Sequence, residues 1–299
     1  MLEAAPPGYT VRPHTPADVD AVTALIAAVE RDVLGEELIT RGDVVAMWAP
    51  ENKFDFERHS VGVYDAEGLV ASAEIYERNS DVNVHPEATG RGLGTWLRRW
   101  CEQRARELGR ATFNQVVPDQ NTAATALLRE AGYAAKKTSW ILRIEHRERP
   151  ADAAPPEGVV IRPFREEDAR PAYEVIERAF SEWVGRTPTT YEQWRVRTVE
   201  HEDFDVAHFL VAQAQGRVVG AAVVTDDRGE MWVDQLAVDR DFRDRGIARA
   251  LLQTTFQRSF DRGNAMTGLG TDSITGALSL YEKIGMRVRL SFTGYELHL

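Results

Sequence analysis

The sequence predicts a mixed α/β fold that is built twice in tandem. Three observations support this prediction: strand and helix patterns alternate in each half, matched residues recur about 150 positions apart, and each half contains a glycine-centred turn. The segment Val11-Arg12-Pro13 matches Ile161-Arg162-Pro163 at an offset of 150 residues, and Gly92 matches Gly246 at an offset of 154. Because the offset is nearly constant, we infer a duplication.

The two predicted domains cover residues 1–148 and 158–299. Between them, residues 147–158 are rich in proline and alanine, which favours an extended linker. In each domain we expect the same order of elements. These are an opening strand (9–13; 159–163), a helix beginning near Asp18 or Asp168, a hairpin (61–76; 209–225), a further strand (81–84; 231–238), a long helix (94–108; 247–262), a strand (112–117; 266–269), a short helix (122–131; 275–284) and a terminal strand pair.

Composition is typical of a soluble globular protein. Of the 299 residues, 43% are hydrophobic and 28% are charged. The net charge of −11 (36 basic minus 47 acidic residues) argues against nucleic acid or an anionic membrane as partner and is compatible with a cationic substrate. The one cysteine, Cys101, excludes an intramolecular disulfide, and no stretch has the ~18 apolar residues of a membrane span. We therefore expect a cytoplasmic protein, and the scattered histidines predict no metal site.

The glycine-centred turn follows a strand and opens the long helix in each half. Its two copies read Gly90-Arg91-Gly92-Leu93-Gly94 and Arg243-Asp244-Arg245-Gly246-Ile247-Ala248. Neither copy has the Gly-Lys-Ser/Thr of a Walker A loop, and Thr95 stands where a dinucleotide fingerprint needs its third glycine. The pattern Arg/Gln-x-x-Gly-x-Gly/Ala of a pyrophosphate loop fits the second copy fully, whereas the first copy has Thr89 at the basic position.

Together with a second motif, this turn resembles the GNAT superfamily of acyl-CoA-dependent N-acyltransferases. The second motif is Ala277-Leu278-Ser279-Leu280-Tyr281-Glu282-Lys283-Ile284-Gly285-Met286, and its first-half counterpart contains Asn121, Ala124, Leu127, Leu128, Gly132 and Tyr133. The resemblance covers both halves. It implies two tandem GNAT domains, each with a central sheet that splays to admit the pantetheine arm of acetyl-CoA, the co-substrate.

The resemblance also implies which residues bind acetyl-CoA. In the second half these are Leu236, Ala237, Val238, Arg243, Asp244, Arg245, Gly246, Ile247, Ala248 and Arg249. In the first half they are Val82, Asn83, Val84, Gly90, Arg91, Gly92, Leu93, Gly94, Thr95 and Asn121.

For catalysis, the resemblance assigns Tyr281 as the acid that protonates the departing thiolate. The first half has Leu128 at this place, and a leucine has no proton to transfer. Asp234 is our first choice of base and Glu230 the second, with His208 and His298 left open. We therefore expect the second half to be catalytic and the first to be a degenerate copy, with acetyl-CoA binding there left open.

The expected function is transfer of an acetyl group from acetyl-CoA to a primary amine of a small molecule or peptide. Two alternatives stay open: an acetyltransferase like mycothiol synthase, and a non-catalytic acyl-CoA-binding regulatory protein. The sequence leaves the acceptor amine open, and it is compatible with a monomer or a homodimer.

Overall fold

The computed structural model describes residues 5–49, 53–77, 79–183, 186–200, 204–227 and 229–299. It confirms the predicted mixed α/β class. The chain divides into two compact units: unit 1 contains Met1–Thr138 and Leu290–Leu299, and unit 2 contains Ser139–Arg289. Over the described ranges, none of the helices combines the length and the apolar character that crossing a membrane requires.

Unit 1 is a mixed sheet with helices on both faces. Its strands are β1 (Thr10–Arg12), β2 (Ser60–Tyr64), β3 (Leu69–Ile75), β4 (Ser80–Val84) and β5 (Thr112–Pro118), followed in space by β12 (Arg287–His298) from the end of the chain. Its helices are α1 (Val19–Leu34), α2 (Arg41–Met47), α3 (Phe56–His59), α4 (Leu93–Glu107) and α5 (Thr122–Glu130). Strands β4 and β5 are parallel, and the pairs β1–β2, β2–β3, β3–β4 and β5–β12 are antiparallel.

Unit 2 repeats this design. In sheet order its strands are β6 (Ala134–Glu145), β11 (Met266–Asp272), β10 (Glu230–Val238), β9 (Arg217–Asp227), β8 (Leu210–Ala214) and β7 (Val159–Pro163). Its helices are α6 (Ala169–Phe180), α7 (Tyr191–Arg197), α8 (Ile247–Asp261) and α9 (Leu278–Lys283). Strands β10 and β11 are parallel, as β4 and β5 are in unit 1.

Each unit completes its sheet with a strand from the other half of the sequence. In unit 1, β12 pairs with β5 from Phe292↔Pro118 to His298↔Thr112. In unit 2, β6 pairs with β11 over Met266–Asp272. Each unit therefore contains residues from both of the halves that the sequence predicts.

The prediction of a terminal strand pair in each half was wrong. Residues 134–145 and 287–298 each form one continuous strand of 12 residues. The first of these has no glycine, proline, asparagine or aspartate that would favour a turn within it.

Apolar side chains cover both faces of the sheet in unit 2. On one face, α6 and α7 pack in a cluster that contains Phe164, Trp194, Phe209 and Val223. On the other face, α8 contributes Leu251 and Phe256 to two further clusters. The buried residues of α8 include Ile247, Leu251 and Leu252, a spacing that places one side of the helix on the sheet. The sheet is therefore a rigid support for the loops that follow its strands.

A repeated ion pair marks the duplication in the structure. Arg12 donates to both oxygens of Asp18 at 2.8 and 2.6 Å, and Arg162 donates to both oxygens of Asp168 at 2.6 and 2.8 Å. Each aspartate also accepts a backbone N–H from three residues before it. These aspartates therefore order the entry to the first helix of each unit, as expected for an acidic side chain at a helix start.

Candidate active site

The two glycine-centred loops have the same backbone geometry. Left-handed φ angles occur at Asp244 (59°) and Gly246 (85°) in unit 2, and at Gly90 (74°) and Gly92 (84°) in unit 1. Alternating left-handed residues turn successive backbone N–H groups toward one side of a loop, which creates a concavity for an anion. Glycine adopts this conformation without strain, and Asp244 adopts it in spite of its side chain.

Matching hydrogen bonds hold the two loops. In unit 2, the Asp239 carboxylate accepts the N–H of Asp241 at 3.0 Å, and Arg245 donates to the Asp241 carbonyl at 2.8 Å. In unit 1, the ring of His85 accepts the N–H of Glu87 at 3.4 Å, and Arg91 donates to the Glu87 carbonyl at 2.8 Å. The two glycine-centred loops therefore share both their backbone geometry and the hydrogen bonds that hold it.

Helix α8 begins directly at the second loop. Its first described intrahelical bond runs from Ala250 N to Gly246 O at 3.0 Å, and the N–H groups of residues 247–249 have no acceptor among the described residues. Such unpaired amides at a helix N-terminus attract anions. Beside them lies a recess of about 310 Å³, lined by Asp152, Ala154, Pro156, Arg245, Gly246, Arg249 and Gln253.

The predicted linker forms one wall of this recess. Gln257 of α8 donates to the carbonyl of Ala151 at 2.8 Å, and Arg149 donates to Asp261 at 3.2 Å. The linker is therefore held on α8 rather than being a free connection. No sequence pattern predicted this, because the contacts join residues more than 100 positions apart.

Arg243, the basic residue of the loop pattern, has partners of its own. Its Nε donates to the Val238 carbonyl at 3.1 Å, and its two terminal nitrogens donate to Glu182 at 2.7 and 3.1 Å. This contact lowers the pKa of Glu182. Arg243 thus connects the end of β10 to the segment after α6.

A β-bulge interrupts β10 at Asp234. Val233 pairs with Val224 and Gln235 pairs with Val223, so Asp234 is an extra residue on β10. Val233 packs in a cluster with α8 residues, and regular alternation would place Gln235 on that face too. Instead, Gln235 accepts a hydrogen bond from Trp194 Nε1 at 3.1 Å, on the α7 face. The bulge therefore reverses the face of the sheet to which each side chain after Asp234 points.

Strands β10 and β11 separate at the same point. Their parallel pairing ends at Val233↔Leu269, immediately before the bulge. In unit 1, β4 and β5 share the pair Ser80↔Gln115, and the register of β4 with β3 is regular from Ser80 to Val84. Both units thus have separating parallel strands, but the bulge occurs in unit 2.

Tyr281 lies at this separation point. Its ring, 8% exposed, belongs to the apolar cluster that contains Val233 and Leu269. Burial raises the pKa of Tyr281 to about 12. Its hydroxyl makes no hydrogen bond to another described residue, so its proton is available to a bound molecule. The fold therefore brings the ring of Tyr281 to the point where β10 and β11 separate.

The matched helices begin differently in the two units. In unit 1, the Asn121 side chain accepts the N–H of Ala124 at 3.0 Å and caps α5, and Leu128 is buried in the core. In unit 2, Ile274 stands in place of Asn121, and Gly276 adopts a φ of 66°. Helix α9 therefore begins at Leu278 rather than at the predicted Thr275.

The candidate bases differ in their surroundings. Asp234 is exposed, yet desolvation by the nearby protein raises its pKa, against the opposing effect of a hydrogen bond with Thr225. Glu230 instead pairs with Arg143 at 2.8 Å. His208 is buried, which lowers its pKa, and His298 belongs to unit 1. Of these groups, Asp234 alone is the bulge residue at the strand separation.

The comparison with known proteins points to one family. The model of the acetyltransferase (GNAT) family matches the chain twice, at residues 28–133 and 169–286. A mycothiol acetyltransferase from Pseudarthrobacter chlorophenolicus is 29% identical over 257 residues, which cover 81% of this chain and 76% of that protein.

Solved structures agree. A GCN5-related N-acetyltransferase from Sphaerobacter thermophilus has a TM-score of 0.82 and 30% identity, covering 98% of this chain and 96% of its own. A tandem GNAT protein from the clavulanic acid biosynthesis pathway has a TM-score of 0.72 at 15% identity, covering 97% of this chain and 98% of its own, and shows that the tandem fold is shared.

Proposed function

The chain belongs to the acetyltransferase (GNAT) family, and from this we propose that unit 2 transfers an acetyl group from acetyl-CoA to a primary amine. The observation that carries the assignment to unit 2 is the bulge at Asp234, placed where β10 and β11 separate and where Tyr281 packs. Unit 1 has separating strands and a loop of the same geometry, but its register at β4 is regular and Leu128 replaces the tyrosine.

Acetyl-CoA fits the α8 end of the site. The unpaired amides at residues 247–249 and the left-handed turns at Asp244 and Gly246 suit its diphosphate. Arg249 is exposed on the wall of the adjoining recess and adds positive charge. We assign the remaining residues of the loop, and the backbone of Leu236–Val238, to the same co-substrate.

The proposed reaction is a direct transfer. Asp234 accepts a proton from the incoming ammonium group, directly or through a water molecule, because an exposed carboxylate with a raised pKa suits a general base. The neutral amine then attacks the acyl carbonyl, and backbone N–H groups near the bulge stabilise the charge on its oxygen. As the new C–N bond forms and the C–S bond breaks, Tyr281 donates its hydroxyl proton to the sulfur, and the excess proton on the new amide nitrogen returns through solvent to the Tyr281 oxygen.

The binding experiment is a thermal unfolding measurement with acetyl-CoA. A ligand at ~100 times its dissociation constant stabilises the native state by about 2.7 kcal/mol. We expect acetyl-CoA to raise the melting temperature and a thiol-release assay across a panel of amines to identify an acceptor. If neither acetyl-CoA nor CoA changes the melting temperature, the proposal is wrong. If the co-substrate binds but no amine is acetylated, the chain is instead an acyl-CoA-binding protein.

The relative named mycothiol acetyltransferase favours a second candidate. Its similarity extends over 81% of this chain, so both halves take part in the match. An acetyltransferase with the same acceptor as that relative is therefore the second function to test, by including this acceptor in the amine panel. Saturable turnover of that compound alone would select the second candidate.

A further inference from the structure

One face of the unit 1 sheet carries a buried polar layer. Ala71, Ala73 and Ile75 of β3 pack in the cluster that contains α4. Because side chains alternate along a strand, Ser72 and Glu74 face the opposite side, toward α1 and α2. They are 0% and 1% exposed, respectively.

His14 and Asp81 extend this layer. The Nε2 of His14, itself 1% exposed, lies 2.9 Å from Glu74 Oε1. Asp81 of β4 stands directly opposite Glu74 in the antiparallel register. Side chains at opposite positions have Cβ atoms about 5 Å apart, so the two carboxyl groups repel each other when both are ionised. Burial and the charge of Glu74 raise the pKa of Asp81 to about 7.

The matching face of unit 2 is largely apolar, and its polar exception is Gln235, which corresponds to Asp81 and accepts a hydrogen bond from Trp194. His14, which follows Arg12-Pro13, corresponds to Phe164, which follows Arg162-Pro163. Through the strand registers, Ser60 corresponds to Phe209 and Glu74 to Val223. These three residues of unit 2 form the buried cluster beneath α6 and α7. Unit 2 thus has the same fold without ionisable side chains at these positions, so the fold does not require them in unit 1.

Several polar atoms of this layer lack hydrogen-bond partners. Glu74 Oε1 lies 2.9 Å from His14 Nε2, but Glu74 Oε2, His14 Nδ1 and the Ser72 hydroxyl make no hydrogen bond to another described residue. A buried carboxylate without sufficient hydrogen bonds destabilises the folded protein. These acceptors therefore point to a bound molecule that donates hydrogen bonds.

The surrounding groups select the chemistry of that molecule. Two carboxyl groups favour a cation, and the Trp48 ring, stacked on His14 with centroids 5.7 Å apart, adds an aromatic wall. Among the described residues, no three His, Cys, Asp or Glu side chains are grouped as a metal site. Asp81 and Asn83, which stand opposite Glu74 and Ser72 on β4, are partly exposed, so the layer extends to the protein surface.

We propose that the layer formed by His14, Ser72, Glu74 and Asp81 binds a small primary amine as its ammonium ion. The N–H donors of the ammonium group satisfy the Glu74 carboxylate and the Ser72 hydroxyl. This site belongs to unit 1 and does not depend on the proposed catalysis in unit 2. The chain would thus bind amine at two places.

Isothermal titration calorimetry with ethanolamine, glucosamine and spermidine tests this proposal. The titrations compare the full wild-type chain with Glu74→Gln and Asp234→Asn. We expect at least one probe to bind at a site that survives Asp234→Asn and loses tenfold or more in affinity in Glu74→Gln. A tenfold loss corresponds to about 1.4 kcal/mol. The acetyl-CoA-induced melting shift should be the same in Glu74→Gln as in the wild type.

A second variant separates binding from folding. Glu74→Val installs the residue that unit 2 has at this position, and replacing a buried charge by a packed apolar group is often neutral or stabilising. We expect this variant to melt at the wild-type temperature or higher and to lose the same affinity. The proposal is overturned if all three probes keep their affinity within twofold in both Glu74 variants, or if no probe binds after Asp234→Asn.

Discussion

Replacing Tyr281 by phenylalanine removes one hydroxyl group from the proposed active site. The ring stays in its cluster with Val233 and Leu269. Because the hydroxyl makes no hydrogen bond to another described residue, we expect the free energy of unfolding to change by less than about 1 kcal/mol. A positioned general acid contributes about 10²–10⁴-fold to a rate, so kcat should fall by ~10²-fold or more.

The assay is thiol release at saturating amine, with acetyl-CoA varied. We expect the loss to be in kcat, while KM for acetyl-CoA stays close to the wild-type value, because the loop at Asp244–Ala248 is unchanged. Burial raises the pKa of Tyr281 to about 12, so the wild-type acid stays protonated well above neutral pH. Its ionisation should therefore produce no decline in rate between pH 7 and about pH 9.

Tyr133→Phe is the matched control. Tyr133 is buried in unit 1, and its hydroxyl donates to Glu102 Oε1 at 3.0 Å. Losing a buried hydrogen bond to a carboxylate costs about 1–3 kcal/mol, so this variant should lower the melting temperature and keep the wild-type kcat. Equal turnover by Tyr281→Phe and the wild type would refute the assignment of the acid. If Tyr133→Phe lost as much activity as Tyr281→Phe, the assay would be reporting a loss of folded protein rather than the loss of the acid.

Three further changes test the loop, its ion pair and the base. Gly246→Ala places a side chain at a φ of 85°, which costs roughly 1–2 kcal/mol, and it should reduce the melting shift caused by acetyl-CoA. The control Gly92→Ala, at a φ of 84°, should cost as much and leave that shift intact. Glu182→Gln removes the negative charge that pairs with Arg243, which leaves the guanidinium free to contact the diphosphate. Acetyl-CoA should therefore bind several-fold more tightly in calorimetry, and weaker binding would contradict a phosphate role for Arg243. For Asp234, the active form is the carboxylate, so kcat/KM should rise with pH through a pKa above that of an ordinary aspartate; Asp234→Asn should remove this acid limb, and an unchanged profile would assign the base elsewhere.

The sequence predicts those parts of the molecule that depend on neighbours in the chain. Apart from the terminal strand pairs, the order of the predicted elements and both glycine-centred loops depend on local patterns, and the structure has them within a few residues of the expected bounds. The start of α9 was misplaced because a left-handed Gly276 and the missing asparagine cap act against the helical pattern. Local composition thus predicts the type of an element better than its ends.

The bulge at Asp234 shows what the sequence alone leaves out. A bulge is a property of two paired strands, here the shift between Val233↔Val224 and Gln235↔Val223. Nothing within 230–238 shows which residue lacks a partner on β9. The polar layer around Glu74 is hidden for the same reason, since His14 and Glu74 are 60 positions apart and meet only in the folded sheet.

The exchange of terminal strands has a consequence for cutting the chain. A fragment of residues 158–299 contains the proposed catalytic residues but lacks β6, so the edge of β11 that pairs with 139–145 would be exposed. An unpaired edge strand promotes association, and Leu142, fully buried in the unit 2 core, would be missing as well. We expect this fragment to aggregate in size-exclusion chromatography, and a fragment of residues 139–289, which spans the whole of unit 2, to fold with a cooperative melting transition. A stable, monomeric 158–299 fragment would show that β6 is dispensable. If instead β6 is required, the first half cannot be removed up to residue 148 without loss of the second, because residues 139–145 pair with β11 and complete the unit 2 sheet.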